Sequence, residues 1–390
     1  MAALFASAVS TQSDWREAVR DVCGEVCDAI GSPPDLAVLF VSADRAAECD
    51  ALARQAAEQL GGSQLIGCTG ESIVGVRQEI EGASAVSLWA AKLAETTIRT
   101  MHLKFERSSE GGVIVGWPDD LPEPWPEGAA LLLLGDPFSF PADALMERLN
   151  EDRPGVPVIG GMSSGGAAPG ENRLLLGDGC HAEGAVVAMI HGGVRVRSLV
   201  SQGCRPIGTH LVVTKAERNV IHELGGRPAL LRLKELFDTL PTREQEMVQR
   251  GLHVGRVVSE YQDHFQQGDF LVRNVMGIDP DNGSIAMGDY IRAGQTVQFH
   301  IRDANSADQE LRQLLSRAKA DAAPAGALLF TCNGRGTRLF PEPHHDASAI
   351  ADALGEIPLA GFFAAGELGP VAGENFMHGF TASLALFETR

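Results

Sequence analysis

Short apolar runs alternate along the chain with stretches of helical spacing, and one arrangement occurs three times. The first copy opens with an apolar run at 36–41. A stretch with helical periodicity follows at 45–60, and a second run ends in a glycine-rich turn, Leu65-Ile-Gly-Cys-Thr-Gly-Glu71. The second copy has an apolar run at 129–134 and a helix from Pro141 to about Asn150. Its closing run is Val158-Ile-Gly-Gly-Met-Ser-Ser-Gly-Gly166. The third has 327–330, a helix expected after Asp346 as its N-cap, and Leu359-Ala-Gly-Phe-Phe-Ala-Ala-Gly-Glu367. Apolar runs this short are strands when turn residues bound them, and the intervening helix is long enough to join parallel neighbours. Each copy therefore reads as strand, helix, strand, Gly turn. A further strand follows each turn, at 83–90, 184–190 and 380–387, and Gly170-Glu-Asn172 aligns with Gly373-Glu-Asn375.

Between the second and third copies the pattern changes to a β-meander at 269–278, 284–287 and 296–301, with helices at 228–240, 243–252 and 305–319. A further helix is expected at 14–30, and the proline-rich stretch 108–128 reads as a loop or connector. The fold class is α/β: mixed β-sheets flanked by helices, built from repeated strand–helix–strand–Gly-turn units in two related domains. The boundary is placed between Glu217 and Pro228, giving domains 1–222 and 223–390.

Composition narrows the functions. The 390 residues carry 32 Lys and Arg against 51 Asp and Glu, a net charge of −19. Such a field repels phosphate backbones and anionic lipid headgroups, so neither a nucleic-acid nor a membrane partner is expected. The N-terminus lacks the basic and long apolar regions of a signal peptide. Seven scattered cysteines, an odd number, fit a reduced cytoplasmic protein.

Glycine turns leaving parallel strands at their C-terminal ends are where α/β proteins place ligands. Gly70 and Gly366 let backbone N–H groups approach a bound group closely, or they only permit tight packing. Glu71 and Glu367, next to them, are placed to meet an amine, or they cap loops. Cys332 lies in Phe330-Thr-Cys-Asn-Gly-Arg-Gly336 at a strand end. It reads either as a thiol nucleophile or as site lining beside Asn333, and Arg335 has the planar fork that holds a carboxylate. Asn375 and His378 follow the third turn and offer polar contacts, and His378 is the candidate base in a Cys332-dependent reaction. His344-His-Asp346 and the Cys23/Cys27 pair lack the spacing of a metal site. No metal or cofactor is expected.

These motifs together resemble the FIST family, with its paired FIST N and FIST C domains. The likeness rests on 361–370, 375–387, 330–336, 274–279 and 299–303, and in the N-terminal half on 35–41 and 66–71. The resemblance implies a sensory module for a small ligand such as an amino acid or another small carboxylate. Members occur alone or joined to signalling domains, so output from this chain would pass through a separate partner. It implies no catalytic residue. Ala364 stands where some relatives are expected to carry Cys, which weakens a thiol pair with Cys332. The competing expectations are a Cys332–His378 enzyme and an interaction adaptor without a small ligand.

Overall fold

A computed structural model describes residues 3–108, 111–261, 265 and 268–389. Packing divides the chain into two compact units. The main unit comprises Met1–Val200 with Leu311–Arg390, and the inserted unit is Ser201–Glu310. All three repeats fall in the main unit.

The chain opens with β1 (Leu4–Ser10) and α1 (Trp15–Ile30). Asp14 caps α1 by accepting from the Arg16 N–H at 2.9 Å, and Gly31, at φ 72°, ends it in the left-handed region. The first repeat follows as β2 (Leu36–Ser42), a 3₁₀ turn (Ala43–Glu48), α2 (Cys49–Leu60) and β3 (Gln64–Gly70). A hairpin, β4 (Ile73–Gly75) and β5 (Gln78–Ile80), then leads to β6 (Val86–Lys92). The paired strands β7 (Thr96–Ser108) and β8 (Gly111–Val115) lead to the second repeat. That repeat is β9 (Ala130–Gly135), α3 (Ala142–Asp152), β10 (Val158–Met162), the hairpin β11 (Leu174–Leu176) and β12 (Gly179–His181), and β13 (Ala185–Gly192). Next comes β14 (Val194–Ser201).

The inserted unit holds β15 (Cys204–Glu217), β16 (Val220–Leu224), β17 (Arg227–Pro228), α4 (Ala229–Thr239) and α5 (Thr242–Arg250). Its remaining strands are β18 (Leu252–Val257), β19 (Phe270–Asp279), β20 (Ser284–Met287) and β21 (Thr296–Arg302). They run in the order β15-β21-β18-β19-β20-β16, and β16 pairs back to β15, which closes a six-stranded barrel with β17 on its rim. Valine, isoleucine and leucine fill it, from Val213 and Ile221 to Val254, Ile285 and Ile301.

The third repeat follows α6 (Ala304–Asp321) as β22 (Gly326–Cys332), α7 (His345–Leu354) and β23 (Leu359–Ala364). Its hairpin, β24 (Glu367–Val371) and β25 (Glu374–His378), leads to β26 (Ala382–Thr389).

The three repeats complete one another's sheets. Strands β2 and β3, β9 and β10, and β22 and β23 pair in parallel, as the crossover helices require. The hairpin of each repeat leaves its own sheet. β4–β5 adds to β23, β11–β12 adds to β3, and β24–β25 adds to β10, all antiparallel. The outer strands β1, β7 and β14 pair with β6, β13 and β26. Each sheet thus draws strands from more than one repeat.

Alternation sorts the side chains. Leu36, Val38 and Phe40 of β2, Leu132 and Leu134 of β9, and Leu328 and Phe330 of β22 meet in one shared core. Phe40, Phe330 and Phe362 pack there with ring centroids 5.3–6.2 Å apart. The intervening residues face separate outer layers. Leu39 packs among side chains of α1 and α2, Leu133 among those of α3, and Leu329 among those of α6 and α7.

Three expectations change. The stretch 108–128 contains β8. Asp346 lies inside α7, whose cap position is His344, because its carboxylate is engaged elsewhere. The likeness of 170–172 to 373–375 is not structural, since Gly373 turns the β24–β25 hairpin whereas Gly170 precedes β11.

Gly67, Gly160 and Gly361 face Leu39, Leu133 and Leu329 across the parallel pairs. A Cβ there would lie 2.1, 1.8 and 1.9 Å from the partner carbonyl oxygen. Gly361→Ala is therefore expected to cost about 1–3 kcal/mol or more through forced separation of β22 and β23. Exposed Gly24 in α1 has open space around it, so Gly24→Ala should stabilise by about 0.5–1 kcal/mol. Denaturant titration of both variants checks the opposite signs.

Candidate functional site

Corresponding backbone bonds hold the C-terminal ends of the first strand of each repeat. The N–H groups of Ser42, Asp136 and Cys332 donate to the carbonyls of Ala85, Gly184 and Thr381 at 3.0, 2.8 and 3.0 Å. The glycine turns join in a ring. Thr69 N–H donates to Arg173 O at 2.9 Å, Met162 N–H to Gly366 O at 2.8 Å, and Phe363 N–H to Ser72 O at 2.9 Å. Ser164 ties the ring together. Its Oγ donates to Phe363 O and accepts from the Glu71 N–H at 2.8 Å. The three turns converge.

A cleft of about 370 Å³ opens at the first corner, between the start of the 3₁₀ turn (Ser42, Asp44), Glu71, Ser84 and the backbone of Gly82 and Gly165. Burial pushes the Asp44 carboxyl up, but hydrogen bonds from Ser42 and Ser84 and the Arg45 charge outweigh it. The group is held below the usual carboxylate range. Glu71 is half-buried and forms a two-point ion pair with exposed Arg338, Nη1 to Oε2 at 3.2 Å and Nη2 to Oε1. Arg338 also donates to Asn333 O at 2.8 Å.

Behind Arg338 lies a buried network. Arg335 is fully buried, and its Nε and Nη2 donate to Asp346 at 2.7 and 2.8 Å. Thr331 Oγ1 donates to the same carboxylate at 2.7 Å, and His345 Nδ1 lies 3.0 Å from it. The Arg335 guanidinium also sits over the Phe340 ring, which stacks on His345 at 3.4 Å. Burial alone would raise the Asp346 carboxyl. The Arg335 charge beside it reverses this and holds it well below its ordinary value. Taking away one partner of such a buried pair costs about 3–5 kcal/mol. Glu79, from the exchanged β4–β5 hairpin, accepts from the Ala347 N–H at 2.9 Å and so caps α7. Burial, reinforced by the Asp346 charge, pushes its carboxyl up to about 8.

Apart from Arg335, which belongs to the buried network, the sequence-predicted residues fall into three groups. Glu71, Asn333 and Cys332 lie around Arg338. Cys332 is half-exposed and lies in the electrostatic field of both Arg335 and Arg338. Gly70, Gly366 and Glu367 are buried at the turns. Glu367 Oε2 accepts from the Thr381 N–H at 3.0 Å and from its hydroxyl at 2.8 Å, which braces the entry to β26. Asn375 and His378 sit on β25. Asn375 bonds Asn150, Val156 and Val158, while His378 Nε2 donates to Gly369 O at 2.8 Å. Sequence reading missed Ser42, Asp44, Ser84 and Arg338. The repeat equivalence of Ser42 with Cys332 was the available signal. Among the described residues no group of three or more His, Cys, Asp or Glu side chains is placed to hold a metal ion. Among the same residues no helix is long and apolar enough to cross a membrane.

Residues 35–227 match the FIST N domain and residues 229–370 the FIST C domain. The chain belongs to the FIST family, whose domains are sensory, ligand-binding signalling modules. An uncharacterised protein of Mycobacterium tuberculosis is 46% identical over 382 residues, spanning 97% of this chain and 98% of its own length. An uncharacterised protein of Mycobacterium bovis is 44% identical over 385 residues, with 97% of each chain covered.

Glu79 gives a pH test. Its folded-state value of about 8 exceeds the ordinary 4.5. The folded chain thus keeps a proton that the unfolded chain releases. The stabilisation this provides is full below about 4.5 and is lost as pH rises to about 8. Glu79→Gln keeps an acceptor for Ala347 and removes the charge. Its melting temperature relative to wild type should therefore rise between about pH 5 and about pH 9. A parallel pH dependence of the two proteins would refute this assignment.

Proposed function

We propose that this chain is a sensor for a zwitterionic small molecule of amino-acid size, held in the cleft beside Glu71. The observation that carries the reading is the composition of that cleft. Two carboxylates, Asp44 and Glu71, line it with exposed backbone at the C-terminal ends of parallel strands, and the exposed Arg338 is ion-paired to the second of them. In this reading Arg338 turns from Glu71 to the ligand carboxylate, and Glu71 and Asp44 receive its ammonium group. Arg335, Glu367, Asn375 and His378 have partners within the chain. They brace the strands and helices of the repeats, while Asn333 and Cys332 lie around Arg338. The cavity volume lies at the lower end of small-molecule sites, which fits a ligand of this size. The signal would reach a separate protein in the cytoplasm.

A thermal-shift and calorimetric screen against amino acids and small carboxylates tests this. A ligand at a hundredfold excess over its dissociation constant adds about 2.7 kcal/mol to stability. Arg338→Ala and Glu71→Gln are each expected to weaken binding by about tenfold or more, equivalent to about 1.4 kcal/mol, with the fold intact. Wild-type affinity in both variants would sink the site.

One observation favours a second reading, a Cys332-dependent reaction, namely the electrostatic interaction of the half-exposed thiol with the Arg335 and Arg338 guanidinium groups. It expects Cys332 to alkylate with iodoacetamide at neutral pH faster than Cys27, whose thiol burial pushes up. Equal rates would count against it.

A further inference from the structure

Two of the seven cysteines sit where an exchanged hairpin packs against a helix. Cys49 is the first residue of α2 and is fully buried, with its Sγ 3.6 Å from Arg45 O. Cys180 lies on β12, the hairpin strand that the second repeat lends to the first repeat's sheet, and is half-exposed. Both pack on the same apolar cluster between α2 and that sheet, where α2 lies directly against β12, and the two thiols interact electrostatically. We propose that Cys49 and Cys180 form a peroxide-oxidisable pair that closes to a disulfide and fastens the exchanged hairpin to α2.

Roles follow from exposure and charge. Cys180 is the accessible partner. The hydrogen bond with Cys49, helped by the Arg173 guanidinium, holds its thiol below the ordinary range, whereas the same contact and burial push the Cys49 thiol up. Cys180 thiolate attacks one oxygen of hydrogen peroxide. The O–O bond breaks, and the leaving hydroxide takes a proton to become water, which leaves a Cys180 sulfenic acid. The Cys49 sulfur then attacks the Cys180 sulfur and the S–O bond breaks. The Cys49 proton goes to the departing hydroxide as a second water. Two thiols lose two electrons and two protons, and one peroxide becomes two waters.

The cross-link has a place to act. The 3₁₀ turn that ends at Cys49 begins at Ala43 and Asp44 in the cleft wall, and the segment entering β11 comes from Gly165, on the facing wall. Closing the long loop between the two cysteines therefore restrains both walls. This coupling rests on the ligand-cleft reading, whereas the disulfide itself does not.

Full-length wild type is treated with stoichiometric hydrogen peroxide, its remaining thiols are alkylated, and non-reduced peptides are mapped by mass spectrometry. The expected result is a Cys49–Cys180 peptide that dithiothreitol separates and that is lost in Cys180→Ser. Cys180 unmodified, over-oxidised without a partner, or joined to Cys68 would overturn the proposal. Oxidation should also raise the melting temperature of wild type and leave that of Cys180→Ser unchanged. An equal response of the two would overturn it as well. Hydrogen exchange across 43–48 and 165–173 is expected to slow on oxidation. Unchanged exchange in protein with a mapped disulfide would overturn the coupling alone.

Discussion

The structure depends on the exchange of hairpins among the three repeats. A two-strand parallel sheet with one helix has exposed edges and an unpaired apolar face, and it cannot stand alone. Here each repeat sends its hairpin to the edge of another repeat's sheet, so every parallel pair is covered by strands from elsewhere in the chain. The apolar core between the sheets is then shared by all three, and losing one hairpin would uncover an edge in a different repeat. Side chains on the borrowed hairpins reinforce the arrangement. Arg77 at the tip of β4–β5 pairs with Asp352 and Glu356 of the third repeat, and Glu79 caps α7.

The repeats were legible in the sequence because their period is carried by side-chain polarity. Apolar runs, the helical stretches between them and the terminal glycines stand out one residue at a time. The partner of each hairpin was not legible. β4, β11 and β24 are short, and the choice of edge is made by backbone pairing between residues far apart in the chain. The glycines were legible as a class but carry two jobs. Gly70 and Gly366 belong to the turns. Gly67, Gly160 and Gly361, a few residues earlier, lie inside strands where a side chain would strike the neighbouring carbonyl. Chain order also differs from packing. The FIST N and FIST C matches meet at 227–229, whereas the three repeats gather in one compact unit and a barrel occupies 201–310 between the second and third.

At the site, residue type drew attention to the side chains but did not say which groups they face. Arg335 and Asp346 both stood out in the sequence, Arg335 as a carboxylate holder and Asp346 as a cap. The structure pairs them with each other, so the carboxylate that Arg335 holds is the protein's own. A buried arginine is costly without such a partner, and none of the spacing between 335 and 346 announces it. Glu367 and Asn375 follow the same rule, since each is buried and answers backbone groups that would otherwise be stranded. Arg338 escaped notice because it is exposed and belongs to no striking motif, yet exposure is what leaves a cation free to exchange partners.

The equivalent corners show how one repeated backbone can hold side chains of different chemistry. Ser42, Asp136 and Cys332 occupy the same position, and their main-chain bonds are the same. Their side chains diverge. The Asp136 carboxylate is taken up by the Phe138 N–H, Ser139 and Asn172, which seals that corner. Cys332 lies in the electrostatic field of Arg335 and Arg338, with Arg335 locked to Asp346. At Ser42 the hydroxyl accepts from the Ala85 N–H, the loop at 82–84 stays at the surface, and a cleft remains. Because the ring that joins the turns is made of N–H and C=O groups, it tolerates these changes in side chain. The corner side chains can therefore differ in chemistry while the backbone that carries them stays the same.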